Sequence, residues 1–245
     1  MADVHGGFGT NHVGDCYHGS LMADHRDDSG GPATRRNYGR VGRLYEWMAR
    51  EEQGGLPSWK AEQVERLRPG ERVLYAGVGP GFDALAAAAK GCDVTCIDLA
   101  TNMLRRCEAR FGQAGLTGRF IVGSVLEHDQ AADYDAVVAN FFLNIFEPAV
   151  MRRMLGHLVA LLRPGGVLMI GDFRPGRGWG LTELWARVNY RIAILFFGAF
   201  GLSPWQAMHD YRPLLEDLGL RIESVQDYRG LAWLPKGYRG IVARK

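Results

Sequence analysis

Residues 73–83 read VLYAGVGPGFD, and this stretch decides the fold. Val73–Ala76 is a short apolar run of strand type. Gly77, Gly79 and Gly81 follow at alternate positions, and the chain then turns alanine-rich and helical from Asp83. A glycine turn between a buried strand and a helix start brings a ligand close to free backbone N–H groups. The next apolar run ends on Asp98, 21 residues after Gly77. A carboxylate at that strand end can accept hydrogen bonds from both ribose hydroxyls of a nucleoside. Turn and acid together point to an adenosine-containing cofactor. The third glycine falls one place earlier than in the dinucleotide pattern G-x-G-x-x-G, which counts against NAD. No Gly-Lys-Ser/Thr follows, so a P-loop is excluded.

Outward from this stretch the pattern alternates. Strand-like runs at 73–76, 93–98, 118–122, 134–140 and 166–172 are separated by helical stretches at 83–90, 101–114 and 148–162. Short apolar strands alternating with helices predict a parallel sheet covered on both faces. After a helix at 211–218 come two further strands, 221–228 and 238–244, that read as an antiparallel hairpin closing one edge. The expected fold is therefore α/β: a Rossmann-like, doubly wound, seven-stranded sheet, mostly parallel with an antiparallel closing strand. Upstream, apolar spacing predicts helices over 38–53 and from Ser58, taken as the cap, to Leu67.

Composition bounds the rest. The chain has 245 residues, which fits one globular domain, here residues 37–245 behind a tail. Lys plus Arg number 29 against 27 Asp plus Glu, a balance that gives no support to nucleic acid as a partner. Residues 1–36 are polar and glycine-rich, too poor in aliphatics to offset the entropy of ordering, and read as disordered. They hold His5, His12, His18, His25 and Cys16 at irregular spacing, so no metal site is expected. Four cysteines without a CxxC pair, and no leader or membrane-spanning run, lead to the expectation of a cytoplasmic protein with reduced thiols.

The G-x-G-x-G turn resembles the first motif of class I S-adenosylmethionine-dependent methyltransferases. LRPGGVLMIGDF at 162–173 resembles the helix-to-fifth-strand motif of the same superfamily, and the antiparallel end matches too. Within it, Tyr38 and Tyr45 with Trp59-Lys60, VTCIDLATNML at 94–104 and DFRPG at 172–176 are similar to the ubiquinone/menaquinone C-methyltransferase branch. The resemblance covers roughly residues 37–245. It implies S-adenosylmethionine as cofactor, held by Tyr38, Gly77, Gly79, Gly81 and Asp98. Adenine would lie against Leu99 and Met103, near Ser124 and Val125, with Asn140 facing the crevice. One departure stands out: Ala76 occupies the place where the family usually carries an acid for the methionyl ammonium. Asp83 is the candidate substitute, although an acid in a first helical turn also simply complements the helix dipole.

A sulfonium methyl is already electrophilic, so the protein must align an acceptor and exclude water. If the acceptor has a proton to lose, His209, Tyr211 and Asp172 are the catalytic candidates. The segment 177–209, rich in Trp185, Tyr190, Phe196, Phe197, Phe200 and Trp205, is expected to form a lid over a hydrophobic small-molecule acceptor. The same apolar stretch suits packing on its own domain or a homodimer contact, and Arg187 with Arg191 permits a helix at a membrane surface. The alternatives are a cofactor-binding protein without transferase activity, suggested by Ala76, and an NAD-dependent oxidoreductase.

Overall fold

The computed structural model describes residues 56–174, 209–229 and 236–245, with isolated positions between 180 and 191. The polar tail, the helix expected over 38–53 with Tyr38, and most of segment 177–209 lie outside the described residues.

The elements in chain order are α1 (Ser58–Arg66), β1 (Arg72–Ala76), α2 (Phe82–Ala89), β2 (Asp93–Asp98), α3 (Thr101–Gln113), β3 (Arg119–Val122), β4 (Tyr134–Asn140), α4 (Pro148–Leu161), β5 (Leu162–Phe173), α5 (Tyr211–Asp217), β6 (Arg221–Arg229) and β7 (Lys236–Arg244). The seven strands form one sheet in the order β3-β2-β1-β4-β5-β7-β6. The first five are parallel, and β7 runs antiparallel to both neighbours. The order reverses between β1 and β4, so the crevice for a ligand opens at the carboxyl ends of those strands.

Strand alternation divides the core into two layers. Leu74 and Ala76 of β1 face the layer containing Met151, Leu155 and Leu158 of α4 and Leu215 of α5. Val73 and Tyr75 face the opposite layer with Ala84 and Ala87 of α2 and Leu104, Cys107 and Phe111 of α3. The alanines of α2 let that helix lie close to the sheet.

Two expectations need correction. Ser58 is not the cap of α1: Pro57 holds that place, its carbonyl accepting from the amides of Lys60 and Ala61, with no side-chain cap. The fifth strand begins at Leu162 rather than Gly166, because pairing with β4 starts at Tyr134↔Leu162 and resumes at Ala136↔Val167 across a register shift. Gly165, at φ +77°, makes that irregularity.

Candidate active site

Past Ala76 the chain is tied to the end of β2, the amides of Gly77 and Val78 both donating to the Ile97 carbonyl. Gly77, Gly79 and Gly81 all take positive φ (63°, 55° and 73°), which only glycine adopts without strain. Their surroundings differ. A Cβ at Gly77 would collide with the Phe142 ring and one at Gly81 with the Cys107 thiol, whereas a Cβ at Gly79 would meet nothing within 4 Å. Gly77 and Gly81 therefore keep the turn seated on the protein, and Gly79 faces the open crevice. Arg110 braces the outside, donating to the Pro80 carbonyl at 2.8 Å and lying over the Phe82 ring.

Asp98 closes the cradle. Its Oδ2 accepts from the Gly79 amide and its Oδ1 from the Ala100 amide, each at 2.8 Å. A carboxylate offers about four acceptor positions, so half remain for a ligand's hydroxyls. Burial pushes this carboxyl above its ordinary range while the two amides pull it down. Leu99, beside it, is an exposed aliphatic side chain at the mouth of the crevice. Met103 and Val125 are instead buried, Val125 within the α4-side core. The Ser124 hydroxyl accepts from the Leu126 amide, capping a single turn of 3-10 helix.

Beneath the cradle lies a buried polar network. Asn140 Nδ2 donates to Asp83 Oδ2 (2.9 Å) and to Gln63 Oε1 (2.9 Å), and Gln63 Nε2 returns a bond to Asn140 Oδ1. Lys60 Nζ approaches Asp83 Oδ2 to 3.8 Å. Lys60, Gln63 and Asp83 are all buried, while the Ala76 methyl points into the core. Gln63 carries no motif in the sequence, and Lys60 entered there only with Trp59, as part of a resemblance.

Where β4 ends, Phe141 adopts φ +51°, a left-handed conformation costly for an aromatic residue. The turn sends Phe142 beneath Gly77 and Phe141 to the other side, edge-on to Trp59, Phe173 and Tyr238 at 5.2–5.6 Å. Gly171 makes room for this wall, since a Cβ there would strike the Trp59 ring. Phe141, Phe173 and Tyr238 are half-buried beside the crevice. The doublet Phe141-Phe142 after a strand was the available signal for it.

The three catalytic candidates come together. Tyr211 donates to Asp172 Oδ2 at 2.5 Å, and the Phe173 amide donates to Asp172 Oδ1. Burial raises the Asp172 carboxyl to about 7 against the pull of Tyr211, Phe173 and Asn144. Both carboxyl oxygens are thus engaged inside the protein, and Tyr211 is buried with it. His209 is half-buried, its Nε2 3.1 Å from the Phe146 carbonyl. A carbonyl only accepts, so Nε2 carries the proton and neutral His209 keeps Nδ1 as an acceptor. Burial lowers the His209 pKa. His209, Asp172 and Tyr211 line one cavity together with Arg239. In the segment expected to form a lid, helical positions Leu181, Leu184 and Val188 are exposed, as are Arg187 and Arg191. Among the described residues no helix is long and apolar enough to cross a membrane, and no cluster of three metal-ligating side chains occurs.

Comparison with known proteins places the chain among methyltransferases. Residues 73–166 match a family model described as a methyltransferase domain. The chain is 31% identical over 118 residues to a demethylmenaquinone methyltransferase of Beutenbergia cavernae, covering 47% of each protein. It is 34% identical over 165 residues to a ubiquinone biosynthesis O-methyltransferase of Xanthomonas axonopodis, covering 65% of this chain and 67% of the relative. It thus spans about half the length of the first relative and two thirds of the second. The fold is that of the magnesium protoporphyrin IX methyltransferase of Synechocystis, solved with bound S-adenosylhomocysteine: TM-score 0.58 and 21% identity over 92% of this chain and 98% of that one. With the glycine turn and Asp98 placed as described, these matches establish that the chain belongs to the S-adenosylmethionine-dependent methyltransferase family.

Proposed function

We propose that the protein transfers a methyl group from S-adenosylmethionine to a hydrophobic small-molecule acceptor. The observation that carries this reading is the pairing of an open Gly79 with an Asp98 carboxylate held by two backbone amides and left with free acceptor positions. Asp98 would take the ribose hydroxyls, and exposed Leu99 offers an apolar surface to adenine. Asp83 would serve the methionyl ammonium in place of the acid missing at Ala76, with Asn140 and Lys60 fixing its position. The cofactor supplies an electrophilic methyl when bound. The residues around it need only orient the acceptor and exclude water.

The aromatic wall of Phe141, Phe173 and Tyr238 gives an apolar acceptor a surface beside the cradle. His209 is the base of choice where the acceptor must lose a proton: it is neutral near pH 7, and Nδ1 is its accepting atom. Asp172 and Tyr211, buried against each other, fit a positioning role beneath it. The test is S-adenosylhomocysteine formation from S-adenosylmethionine with panels of apolar phenols and quinols, and with RNA, DNA and protein. Product with the apolar panel is expected; product only with a macromolecule would refute the assignment.

A further inference from the structure

Helix α1 buries polar side chains on a face where an ordinary amphipathic helix buries apolar ones. Its buried residues are Trp59, Lys60, Gln63 and Val64. Among the described residues the buried polar or charged side chains are Lys60, Gln63, Asp83, Thr95 and Asp172, and the first three meet in one network with Asn140, the last residue of β4. Buried polar groups are costly unless their donors and acceptors are met, so packing alone gives no reason to place them here.

The bonds of this network have a direction. A carboxylate only accepts, so Asp83 Oδ2 requires the Nδ2 side of the Asn140 carboxamide. The other N–H and the carbonyl oxygen of Asn140 then face α1, and Gln63 meets both. Its Oε1 accepts from Asn140 Nδ2 at 2.9 Å, and its Nε2 donates to Asn140 Oδ1 at 3.2 Å. Both N–H groups of Asn140 are thereby spent inside the protein, which makes this side chain a strut between α1 and α2. The backbone of Asp83 is held as well, its carbonyl accepting from the Tyr75 hydroxyl at 3.2 Å. Asn140 and Lys60 both approach Oδ2 of the Asp83 carboxylate, which leaves Oδ1 as its remaining accepting atom.

We infer that Gln63 is a positioning residue for the methyl donor: by bracing the Asn140 carboxamide it fixes the Asp83 carboxylate so that Oδ1 meets the methionyl ammonium. This inference rests on the reading of Asp83 proposed above. Gln63 acts through Asn140 and Asp83, not by touching the cofactor. A carboxamide presents a donor and an acceptor side by side, and an apolar side chain of the same length leaves one N–H and one carbonyl oxygen of Asn140 unmet.

S-adenosylhomocysteine and 5′-methylthioadenosine separate this role from a merely structural one, because the second lacks the amino-acid end. Calorimetry measures both affinities for the full-length protein, Gln63→Met, Gln63→Ala, Asp83→Asn and the double variant Gln63→Met/Asp83→Asn. The unaltered protein is expected to bind S-adenosylhomocysteine at least about tenfold tighter, the yield of a hydrogen bond to a charged group. Both Gln63 variants should cut that preference about fivefold or more while 5′-methylthioadenosine affinity stays within about twofold. Residues acting in series are non-additive, so Gln63→Met should change nothing further in the Asp83→Asn background. An undiminished preference in the Gln63 variants, an equal loss for both nucleosides, or full additivity with Asp83→Asn would overturn the role of Gln63 and leave that of Asp83 standing. A preference absent from the unaltered protein, or untouched by Asp83→Asn, would instead refute the Asp83 reading and the inference with it.

Discussion

Gly79 and Gly81 share a residue type and a backbone region, yet they answer to different constraints. At Gly81 an added methyl meets the buried Cys107 thiol as well as an unfavourable φ. Gly81→Ala should therefore destabilise the fold by about 2–4 kcal/mol, from left-handed strain plus overpacking, and thermal unfolding measures it. At Gly79 the space is open, so Gly79→Ala should cost about 1–2 kcal/mol of stability and show its main effect as weakened cofactor binding. Asp98→Ala should lower S-adenosylhomocysteine affinity by about 10–100-fold, the worth of hydrogen bonds to a charged group. The turn was legible in the sequence because its conformation requires a residue type: positive φ at Gly77, Gly79 and Gly81 is strained for any side chain. At Ser124 and Val125, expected near adenine from the resemblance, the structure shows Val125 buried and the Ser124 hydroxyl accepting from the Leu126 amide.

Among elements, α1 is the one the sequence undersold. It contributes Trp59, which lies on Gly171 of β5, and Lys60 and Gln63, which reach Asp83 and Asn140. None of these long-range pairings leaves a trace in local periodicity; Gln63 and Asn140 alone are 77 residues apart. Strands β1, β2 and β4 were legible for the opposite reason: both faces are buried, so each reads as an apolar run. The boundary at Leu162 was obscured because Pro164-Gly165-Gly166 reads as a loop, although pairing begins ahead of it. The α1 network has a direct test. Asp83→Asn retains the shape and the Asn140 contact but removes the charge, and it should weaken S-adenosylhomocysteine binding by at least tenfold with little loss of stability. Unchanged affinity would assign Asp83 to helix-end electrostatics alone.

At the scale of the whole molecule, buried ionisable groups give stability and activity distinct pH dependences. The Asp172 carboxyl, ordinarily near 3.8, stands at about 7 in the folded protein. The folded state therefore holds a proton that the unfolded chain releases, so this group's contribution is complete at low pH and disappears as pH rises through 7. Between pH 5 and pH 8 the Tm of the unaltered protein should fall more than that of Asp172→Asn. His209 has the opposite sign: burial depresses its pKa, so the neutral form persists below the usual histidine range. For an acceptor that must lose a proton, kcat should be level near pH 7 and fall only on acidification below about 6.5. His209→Gln should remove that acid limb and cost about 10²–10⁴ in kcat.

The cofactor cradle is most directly tested by calorimetric titration of the protein with S-adenosylhomocysteine and, separately, with NAD. The expected result is saturable one-to-one binding of S-adenosylhomocysteine, weakened at least tenfold by Asp98→Ala, and no binding of NAD. Binding of NAD in preference to S-adenosylhomocysteine, or S-adenosylhomocysteine binding indifferent to Asp98, would contradict the assignment.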